Sequence, residues 1–415
     1  MIRRPLVQII QTARFSNRMQ WQQPPNRVTL AVEERTARGL PVIDLTETNP
    51  TRVGLSYPEE ELAELLRKSG GAAYDPHPRG MLAAREALAA ELSGPDDSVS
   101  PDDLVLTTST SESYSHLFKL FADPGDEVLT TAPSYPLLDS LTVLDGLGLR
   151  HVGLAPERRF AIQPEDVAAL SAAVEPYTKL LAVVHPSNPA GAFLSAEAQA
   201  GLSALCASRR IPLVSDEVFA DYPLAEPPPG MRRAGPAAAS GEAITFSLGG
   251  LSKGAGLPSW KLGWMRVGGS SDVRRQVVDA LELVTDSYLS VASPVQRALP
   301  GILALAPRIR ATILDRLRTN LSTLRTALAG LEGVALYEPE GGWSAVLSVS
   351  GRATDEDLVL DLLERTGVRV HPGYFFDFAG GDFLVISLLP DPAAFAEGLQ
   401  RLAGFLGDYA ASSSG

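Results

Sequence analysis

The sequence predicts an α/β fold, with a large domain whose mostly parallel sheet is flanked by helices and a smaller α+β domain. The first observation is that near-continuous apolar runs, rich in β-branched residues, alternate with amphipathic stretches over 104–267. Strands of this kind are typical of a parallel sheet that helices cover on both faces. The second observation is that this alternation stops after Ala292, where a long helical region begins. We therefore expect a large domain over 56–292 and a small domain built from 293–415 and from part of the N-terminal arm, 1–55.

Each element is predicted from its hydrophobic period. Short apolar runs bounded by turn residues predict the strands of the large domain at 104–108, 127–131, 179–184, 211–215, 243–247 and 264–267. A segment with helical periodicity, 112–121, follows the first of these strands. In the small domain we expect a long helical region over 294–331 and strands at 344–349, 368–371 and 383–389.

Composition excludes several classes of function. The formal net charge of −13 makes a broad basic surface for nucleic acid unexpected. The chain has no apolar run long enough to span a membrane, and its one cysteine, Cys206, excludes an intrachain disulfide framework. We expect a cytoplasmic protein with small-molecule partners, no metal ion in its site, and no nucleic acid or membrane as a partner. Lysine-based chemistry has only five candidates: Lys68, Lys119, Lys179, Lys253 and Lys261.

In open α/β sheets, ligands bind at the carboxyl ends of the strands, so the residues after each strand are the first site candidates. The Thr-Ser-Thr-Ser segment 108–111 joins a strand to a helix and presents hydroxyls and backbone N–H groups suited to a phosphate. An ordinary Ser/Thr helix cap is the alternative. After the strand at 179–184, the turn 185–191 points the Asn188 amide over the sheet edge, although alone it is an ordinary Pro/Gly turn.

Two further strand ends carry charged side chains. Asp216 ends a buried strand, where a carboxylate needs a partner or becomes neutral. A pyridinium N–H is one such partner, and a helix cap or an arginine pair are the alternatives. Lys253 lies in an apolar, glycine-rich turn, which disfavours its ammonium form and makes it a better nucleophile.

In this order, these segments resemble the fold type I pyridoxal-phosphate enzymes, and among them the class I/II aminotransferases related to aspartate aminotransferase. The resemblance extends from about residue 28 to about residue 405. It implies that the chain binds pyridoxal 5′-phosphate and that Lys253, in a Ser-Lys motif, carries it as a Schiff base. It also implies that Asp216 protonates the pyridine nitrogen and keeps the ring an electron sink. Tyr135, in Ala-Pro-Ser-Tyr-Pro, matches the aromatic that stacks on the ring, which makes these three the expected catalytic residues.

The same resemblance implies further contacts to the cofactor. Asn188, in Asn-Pro-Ala-Gly, matches the asparagine that binds the ring hydroxyl. Ser109, Thr110 and Ser111 occupy the phosphate-loop positions. Tyr74 resembles the tyrosine that reaches the phosphate from the neighbouring subunit. The chain is therefore expected to form a homodimer with shared active sites.

Two departures from the family pattern concern the cofactor, one in its phosphate site at positions 261 and 250 and one at its ring oxygen. The family usually has a phosphate-binding arginine eight residues after the Schiff-base lysine, and this chain has Lys261, which keeps the charge but loses the bidentate fork. The serine usually found three residues before the lysine is Gly250. Position 219 is Phe where a tyrosine is common, so one hydrogen bond to the ring oxygen is missing. We expect an altered but functional cofactor site.

A third departure concerns the substrate. Val385 stands where the family usually places the arginine that binds the substrate α-carboxylate. Either another arginine serves, or the substrate presents its carboxylate differently or has none there. Arg52, next to Asn49 in the segment Thr-Asn-Pro-Thr-Arg, is the first replacement candidate, and Arg18 is the second. A surface or structural ion pair is the alternative for both arginines.

The function implied is a ping-pong transamination between an amino acid or amine and a 2-oxo acid, in which Lys253 moves the Cα proton. Elimination, cyclisation, racemisation or decarboxylation at the same carbon is the alternative, which the missing carboxylate arginine favours. A transcription regulator with an aminotransferase-like sensor domain is a third interpretation. The short N-terminal segment and the acidic charge oppose it.

Overall fold

A computed structural model describes residues 15–19, 24–74, 76–239, 241, 243–289, 291–351, 354–380 and 383–413. The strands are β1 (Ile43–Asp44), β2 (Leu104–Thr107), β3 (Glu127–Ala132), β4 (Gly148–Gly153), β5 (Thr178–Val184), β6 (Leu213–Asp216), β7 (Thr245–Gly250), β8 (Gly263–Gly268), β9 (Val334–Tyr337), β10 (Ser344–Val349), β11 (Val368–Arg369), β12 (His371–Pro372) and β13 (Phe383–Ser387).

The helices alternate with these strands in the first two thirds of the chain. They are α1 (Arg27–Ala37), α2 (Glu59–Ser69), α3 (Leu82–Leu92), α4 (Thr110–Phe121), α5 (Leu137–Asp145), α6 (Pro164–Ala173), α7 (Ala196–Arg209), α8 (Leu251–Gly254), α9 (Ser271–Tyr288), α10 (Ser293–Leu328), α11 (Asp355–Thr366) and α12 (Pro392–Ser413).

A seven-stranded sheet with the order β2-β8-β7-β6-β5-β3-β4 forms the centre of the molecule. Its neighbouring strands pair in parallel, except that β8 runs antiparallel to both β7 and β2. Buried apolar side chains cover the sheet on both faces, as the near-continuous apolar runs predict. The predicted fold class is confirmed. The carboxyl ends of the parallel strands meet at one edge, which places the turns after β2, β3, β5, β6 and β7 side by side.

Local sequence signals set the ends of several helices. The hydroxyl of Ser109 accepts from the backbone N–H of Glu112 at 3.2 Å and caps the first turn of α4. Gly146 and Gly367, at φ 80° and 75°, end α5 and α11 in the left-handed conformation that glycine adopts without strain.

The C-terminal part contains a separate four-stranded sheet with the order β12-β13-β10-β9, whose strands pair antiparallel. The N-terminal segment reaches this part of the molecule because β1 pairs in parallel with β11. The 36-residue helix α10 holds the two together. Arg316 on this helix donates to the carbonyls of Val53 and Leu389, at 2.8 and 3.0 Å. Asn320, fully buried, donates to the carbonyls of Leu388 and Pro390.

The long helices of the described chain are amphipathic rather than uniformly apolar. Among the described residues, no helix is both long and apolar enough to cross a membrane.

Candidate active site

Lys253 lies in the short helix α8, directly after β7 at the carboxyl edge of the large sheet. Two glycines precede this helix, and a Cβ atom on Gly249 would lie 2.5 Å from the indole of Trp264 on β8. Glycine therefore allows the neighbouring strand to pack against the lysine turn. Burial lowers the pKa of the Lys253 ammonium to about 8, although the carboxylates of Asp216 and Glu47 act in the opposite direction. A larger fraction of this amine is thus unprotonated at neutral pH than for an ordinary lysine.

Aromatic side chains surround the Lys253 amine. Its Nζ atom lies 4.3 Å from the ring centroid of Trp343 and 5.4 Å from that of Phe219. The two rings pack edge to face at 5.5 Å. Tyr222 donates a hydrogen bond of 2.5 Å to the Lys253 carbonyl and fixes the backbone of the turn. The buried indole N–H of Trp343 has no hydrogen-bond partner among the described residues, which leaves a donor free for a bound molecule.

Asp216 is the last residue of β6, between β5 and β7, and is 3% exposed. Burial raises the pKa of its carboxyl to about 6. The backbone N–H of Val218 at 3.2 Å, the hydroxyl of Tyr114 and the Lys253 ammonium limit this rise because they stabilise the carboxylate. The side chain is therefore a buried acid whose charge depends on its neighbours.

Tyr135 and Asn188 follow β3 and β5 on the other side of Asp216. Tyr135 is partly buried, and burial together with the nearby Asp216 carboxylate raises the pKa of its phenol to about 12. The preceding Ser134 donates its backbone N–H to the carbonyl of Phe376 at 2.9 Å, which ties this turn to the C-terminal part. The Asn188 side chain has no hydrogen-bond partner in the part of the chain that the structure describes.

The N-terminus of α4 offers donors for an anion. Ser109 uses its hydroxyl as the helix cap, and the carboxylate of Glu112 accepts from the backbone N–H of Thr108 at 2.6 Å. The first-turn N–H groups of Thr110 and Ser111 have no acceptor within the helix. This segment therefore has features of both interpretations given above. Ser109 is the helix cap, whereas Thr110 and Ser111 keep backbone N–H groups free for an anion.

Lys261 lies close to this helix terminus through β8. Gly263, the first residue of β8, packs so tightly that a Cβ atom there would lie 3.1 Å from the backbone of Ser109. Lys261 precedes it by two residues, is exposed and has a left-handed backbone with φ 49°. The backbone of Lys261 is thus two residues away from the contact between β8 and the start of α4.

The loop after β1 contributes Glu47, Asn49 and Arg52. The Glu47 carboxylate accepts from the backbone N–H of Asn49 at 2.8 Å, and Asn49 in turn accepts from the backbone N–H of Thr51 at 3.1 Å. Arg52 ends the short turn that follows and is exposed. Its guanidinium has no partner among the described residues. The loop therefore has one fixed acid near Lys253 and one free cation.

Three residues singled out from the sequence have no contact with Lys253, Asp216 or the start of α4 among the described residues: Val385, Arg18 and Tyr74. Val385 is 1% exposed on β13, opposite Val346, and packs in an apolar cluster that includes Phe378. Arg18 donates to the carbonyl of Leu144 near the C-terminal end of α5. Tyr74 is 68% exposed and does not reach the phosphate donors of its own chain through any contact among the described residues. The roles expected for Arg18 and Tyr74 remain predictions.

Sequence reasoning missed Tyr114, Trp343 and Glu47. Tyr114 lies on α4 among apolar residues that face the sheet, where an aromatic is read as core. Trp343 follows a Gly-Gly pair at the start of β10, and Glu47 lies in a polar loop. All three are distant in sequence from Lys253. Hydrophobic periodicity is a local signal and therefore does not identify them as site residues. An aromatic after Gly-Gly and an acid between threonines were the only local signals.

The arrangement fits the pyridoxal 5′-phosphate that the resemblance implies. A buried carboxylate at Asp216 has no arginine or histidine paired with it among the described residues, and a pyridinium N–H would supply its partner. The free N–H groups of Thr110 and Ser111, with Lys261 beside them, suit a phosphate. Lys253, on the strand next to Asp216, supplies the amine that binds an aldehyde.

Comparison with known proteins identifies the family. A family described as "Aminotransferase class I and II" matches residues 41–402 of the chain. Alanine aminotransferase of Mycobacterium tuberculosis is 27% identical over 381 residues, which cover 90% of this chain and 87% of that protein. The glutamate-pyruvate aminotransferase AlaA of Haemophilus influenzae is 25% identical over 393 residues, which cover 93% of this chain and 95% of that protein.

Solved structures agree on the fold. The alanine aminotransferase from Pyrococcus furiosus superposes with a TM-score of 0.85 at 23% identity, over 95% of this chain and 100% of that chain. The family match and the named relatives, rather than the shared fold, favour amino-group transfer over the alternative lyase or cyclase chemistry.

Proposed function

Because this chain belongs to the class I and II aminotransferase family, we propose that its amino-group transfer depends on pyridoxal 5′-phosphate attached to Lys253. The single observation that carries this proposal is the pairing of a low-pKa lysine after β7 with a buried acid at the end of β6. A lysine with a pKa of about 8 and a carboxyl whose charge depends on its neighbours are the two groups that this cofactor chemistry requires.

When bound, the cofactor supplies an electron sink for the negative charge left on the donor carbon that loses its proton. In this proposal, Asp216 keeps its carboxylate against the ring nitrogen and Tyr135 packs on the ring. Asn188 donates its free amide to the ring hydroxyl. Thr110 and Ser111 hold the phosphate through the α4 N-terminus, and Ser109 keeps that terminus in place as its cap.

Lys253 has the second role of moving a proton. Once the donor has displaced it, Nζ is a free amine whose pKa burial lowers to about 8, which suits it to take the proton from the donor carbon and to return it. The rings of Trp343 and Phe219 restrict where this amine can move and exclude water around it. Lys261 completes the phosphate site as a point charge in place of the usual arginine fork.

The substrates proposed are an amino acid or amine as donor and a 2-oxo acid as acceptor, which react in turn by a ping-pong mechanism. The relatives are named for alanine and for glutamate and pyruvate, which supports small amino and 2-oxo acids. For the carboxylate we propose Arg52, because it is exposed and unpaired on the loop that also carries Glu47 near Lys253. Asn49 fixes that loop. Arg18, engaged with α5, is the second candidate.

We also propose that the protein is a cytoplasmic homodimer. The exposed Tyr74 would then reach the phosphate of the neighbouring subunit, as it does not contact the donors of its own chain.

The attachment is tested by reduction and peptide mapping. Pyridoxal 5′-phosphate added to the purified protein should give an absorbance at roughly 400–430 nm, which borohydride converts to a stable adduct on Lys253. The Lys253→Ala variant should lose this absorbance, whereas Lys179→Ala, a lysine on β5, should keep it. A reduced adduct on Lys261 would show that the assignment is wrong.

Amino-group transfer is tested by the products. Each active site should convert one donor to its oxo product, with loss of the absorbance, and a 2-oxo acid should restore the absorbance. Release of ammonia, with the absorbance retained or regained in the absence of any 2-oxo acid, would instead identify elimination.

A further inference from the structure

Three side chains that can bind a metal ion meet at the edge of the large sheet. Asp139 lies in the first turn of α5, His151 lies on the edge strand β4, and Asp377 directly follows the turn 373–376 of the C-terminal part. One ligand atom from each of the three lies within 4.8 Å of the other two. We call these residues the Asp-His-Asp cluster. None of them is among the groups that act on the Lys253 amine.

The distance between His151 and Asp377 fits a shared metal ion better than a direct bond. The Nε2 atom of His151 lies 3.6 Å from Oδ2 of Asp377, which is too long for a hydrogen bond. This Nε2 atom is shielded from solvent and has no hydrogen-bond partner among the described residues. Two ligand atoms of a tetrahedral zinc ion, each about 2.0–2.1 Å from the metal, lie roughly 3.4 Å apart. A rotation of the Asp139 carboxylate about its broad χ2 torsion would bring the third ligand to a similar spacing.

The cluster has an excess of negative charge. Neither of its carboxylates forms an ion pair with a lysine or an arginine in the part of the chain that the structure describes. Burial and the nearby Asp377 carboxylate raise the pKa of Asp139, because like charges at this distance repel each other. A divalent cation between the two carboxylates would cancel both charges. The side chain of Asp377 is 39% exposed, which gives such an ion a path from solvent.

We propose that the Asp-His-Asp cluster binds one zinc ion, or a divalent transition-metal ion of the same class. One imidazole nitrogen and two carboxylate oxygens suit zinc, whereas magnesium and calcium prefer oxygen ligands alone. With three protein ligands, a water molecule completes the tetrahedron. This site is separate from the site around Lys253, for which no metal is expected. It goes beyond the proposed amino-group transfer and requires neither the cofactor nor Lys253.

The ion would join segments that are far apart in the chain. Ser134, in the turn before α5, already donates its backbone N–H to the carbonyl of Phe376 at 2.9 Å, and Phe376 directly precedes Asp377. Zinc would therefore fix the turn after β3 to the C-terminal part at a second point. The unfolded chain lacks the assembled site, so zinc should bind the folded protein preferentially and stabilise it.

The zinc content of the holoenzyme tests the proposal directly. The untagged protein is treated with EDTA, separated from chelator and free cofactor, and dialysed against zinc chloride near neutral pH. We expect one zinc ion per chain, and no comparable binding of magnesium. Absence of stoichiometric zinc would overturn the proposal, and the cluster would then be an ion pair between a protonated His151 and the two carboxylates.

Ligand variants test where the zinc binds. His151→Gln and Asp377→Asn each remove one ligand and should weaken zinc binding by at least ~10-fold. The matched controls are His77→Gln and Asp145→Asn, which should bind zinc as the unmodified protein does. Asp145 also lies on α5, but it pairs with Lys119. Zinc affinity that is unchanged in both ligand variants would show that the ion binds elsewhere, which overturns the proposal.

Thermal unfolding measures the stabilisation. At a zinc concentration about 100 times the Kd, the unfolding midpoint of the holoenzyme should rise by roughly 3 °C or more. His151→Gln should unfold near the temperature of the metal-free protein, which shows that it is folded, and zinc should not raise its midpoint. An equal rise in His151→Gln and in the unmodified protein would contradict the proposed ligand.

Hydrogen exchange provides a local measurement that does not depend on activity. Zinc should slow the exchange of the backbone amides at 373–377, because the ion ties this turn to α5 and β4. The same amides in His151→Gln should exchange at one rate with and without zinc. If zinc leaves the exchange at 373–377 unchanged in the unmodified protein, Asp377 is not a ligand and the proposal is wrong.

Discussion

The buried hydroxyl of Tyr114 donates a hydrogen bond to the carboxylate of Asp216, from α4 to the end of β6. Tyr114 is 1% exposed, so the bond lies in the interior, where hydrogen bonds to charged groups are strong. Burial raises the pKa of Asp216 to about 6, and this bond is one of the contacts that limit the rise. The charge on Asp216 at neutral pH therefore depends in part on a tyrosine that lies on a neighbouring helix.

Removal of the Tyr114 hydroxyl should raise the pH below which the affinity for the cofactor decreases. Tyr114→Phe loses a bond to the charged form of Asp216, so the pKa of the carboxyl should rise further above about 6. Affinity for pyridoxal 5′-phosphate should then fall at a pH about one to two units higher than in the unmodified protein, since a hydrogen bond to a charged group contributes about 1.5–3 kcal/mol. Titration of cofactor binding over about pH 5 to 8 measures this shift.

The control for this prediction is Tyr57→Phe. Tyr57 donates to the Gly256 carbonyl at 2.8 Å and has no bond to Asp216. Tyr57→Phe should lower the free energy of unfolding and leave the pH midpoint of cofactor binding unchanged. If both variants share one midpoint with the unmodified protein, Tyr114 has a packing role only.

A second prediction concerns Lys253 itself. The neutral amine is the form that attacks the cofactor aldehyde, and its fraction rises as the pH increases through the pKa of about 8. The rate of cofactor uptake by the cofactor-free protein should therefore rise with pH to a midpoint near 8. Asp216→Asn removes a carboxylate that raises this pKa, so the midpoint should decrease. Stopped-flow absorbance at several pH values gives the midpoint, and a value above 10 would match an ordinary, solvated lysine.

Sequence periodicity predicted most of the large sheet because its strands are apolar runs bounded by turns. It missed β4, which pairs with β3 at the edge of the sheet and carries Arg150 and His151 among its apolar residues. An edge strand with one partner and one solvated side lacks the continuous apolar run. It also missed β1, which has only two residues and exists because β11 pairs with it from far along the chain.

The site was predictable where a motif directly follows a strand, as at Lys253 and Asp216. It was not predictable where tertiary packing brings a side chain from elsewhere. Trp343 lies next to Lys253 although 90 positions separate them in the chain, and Glu47 comes from the opposite end. Their positions depend on the packing of the N-terminal loop and β13 against α10. Local sequence patterns do not predict such contacts between distant segments.

The third prediction concerns Arg52. A desolvated arginine–carboxylate pair is bidentate and charge-assisted, so Arg52→Ala should lose about 30- to 1000-fold in kcat/KM toward amino acids. The cofactor absorbance should remain, and an amine without a carboxylate should react almost normally. Arg38→Ala, an exposed arginine at the end of α1, is the matched control. Full efficiency of Arg52→Ala with amino acids would move attention to Arg18 or to a substrate without that carboxylate.

The last prediction concerns Tyr74 and the proposed dimer. Tyr74 is 68% exposed in the single chain, so its hydroxyl is accessible to a second subunit. If its hydroxyl donates to the cofactor phosphate across the interface, Tyr74→Phe should weaken cofactor affinity by about 10-fold or more, since a bond to a charged group is lost. The chain should elute as a dimer, and Tyr74→Phe should remain one, because the ring is retained.

Mixed dimers decide which subunit supplies the hydroxyl. A dimer of one Lys253→Ala subunit and one Tyr74→Phe subunit has a single lysine that can bind the cofactor, in the Tyr74→Phe subunit. If Tyr74 acts across the interface, that site receives an intact tyrosine from the Lys253→Ala subunit and binds the cofactor as tightly as the unmodified protein. If Tyr74 acts within its own chain, the same site keeps the weakened affinity of the Tyr74→Phe homodimer. Because Lys253→Ala contributes no absorbance of its own, a cofactor titration of the purified hybrid reports this one site alone.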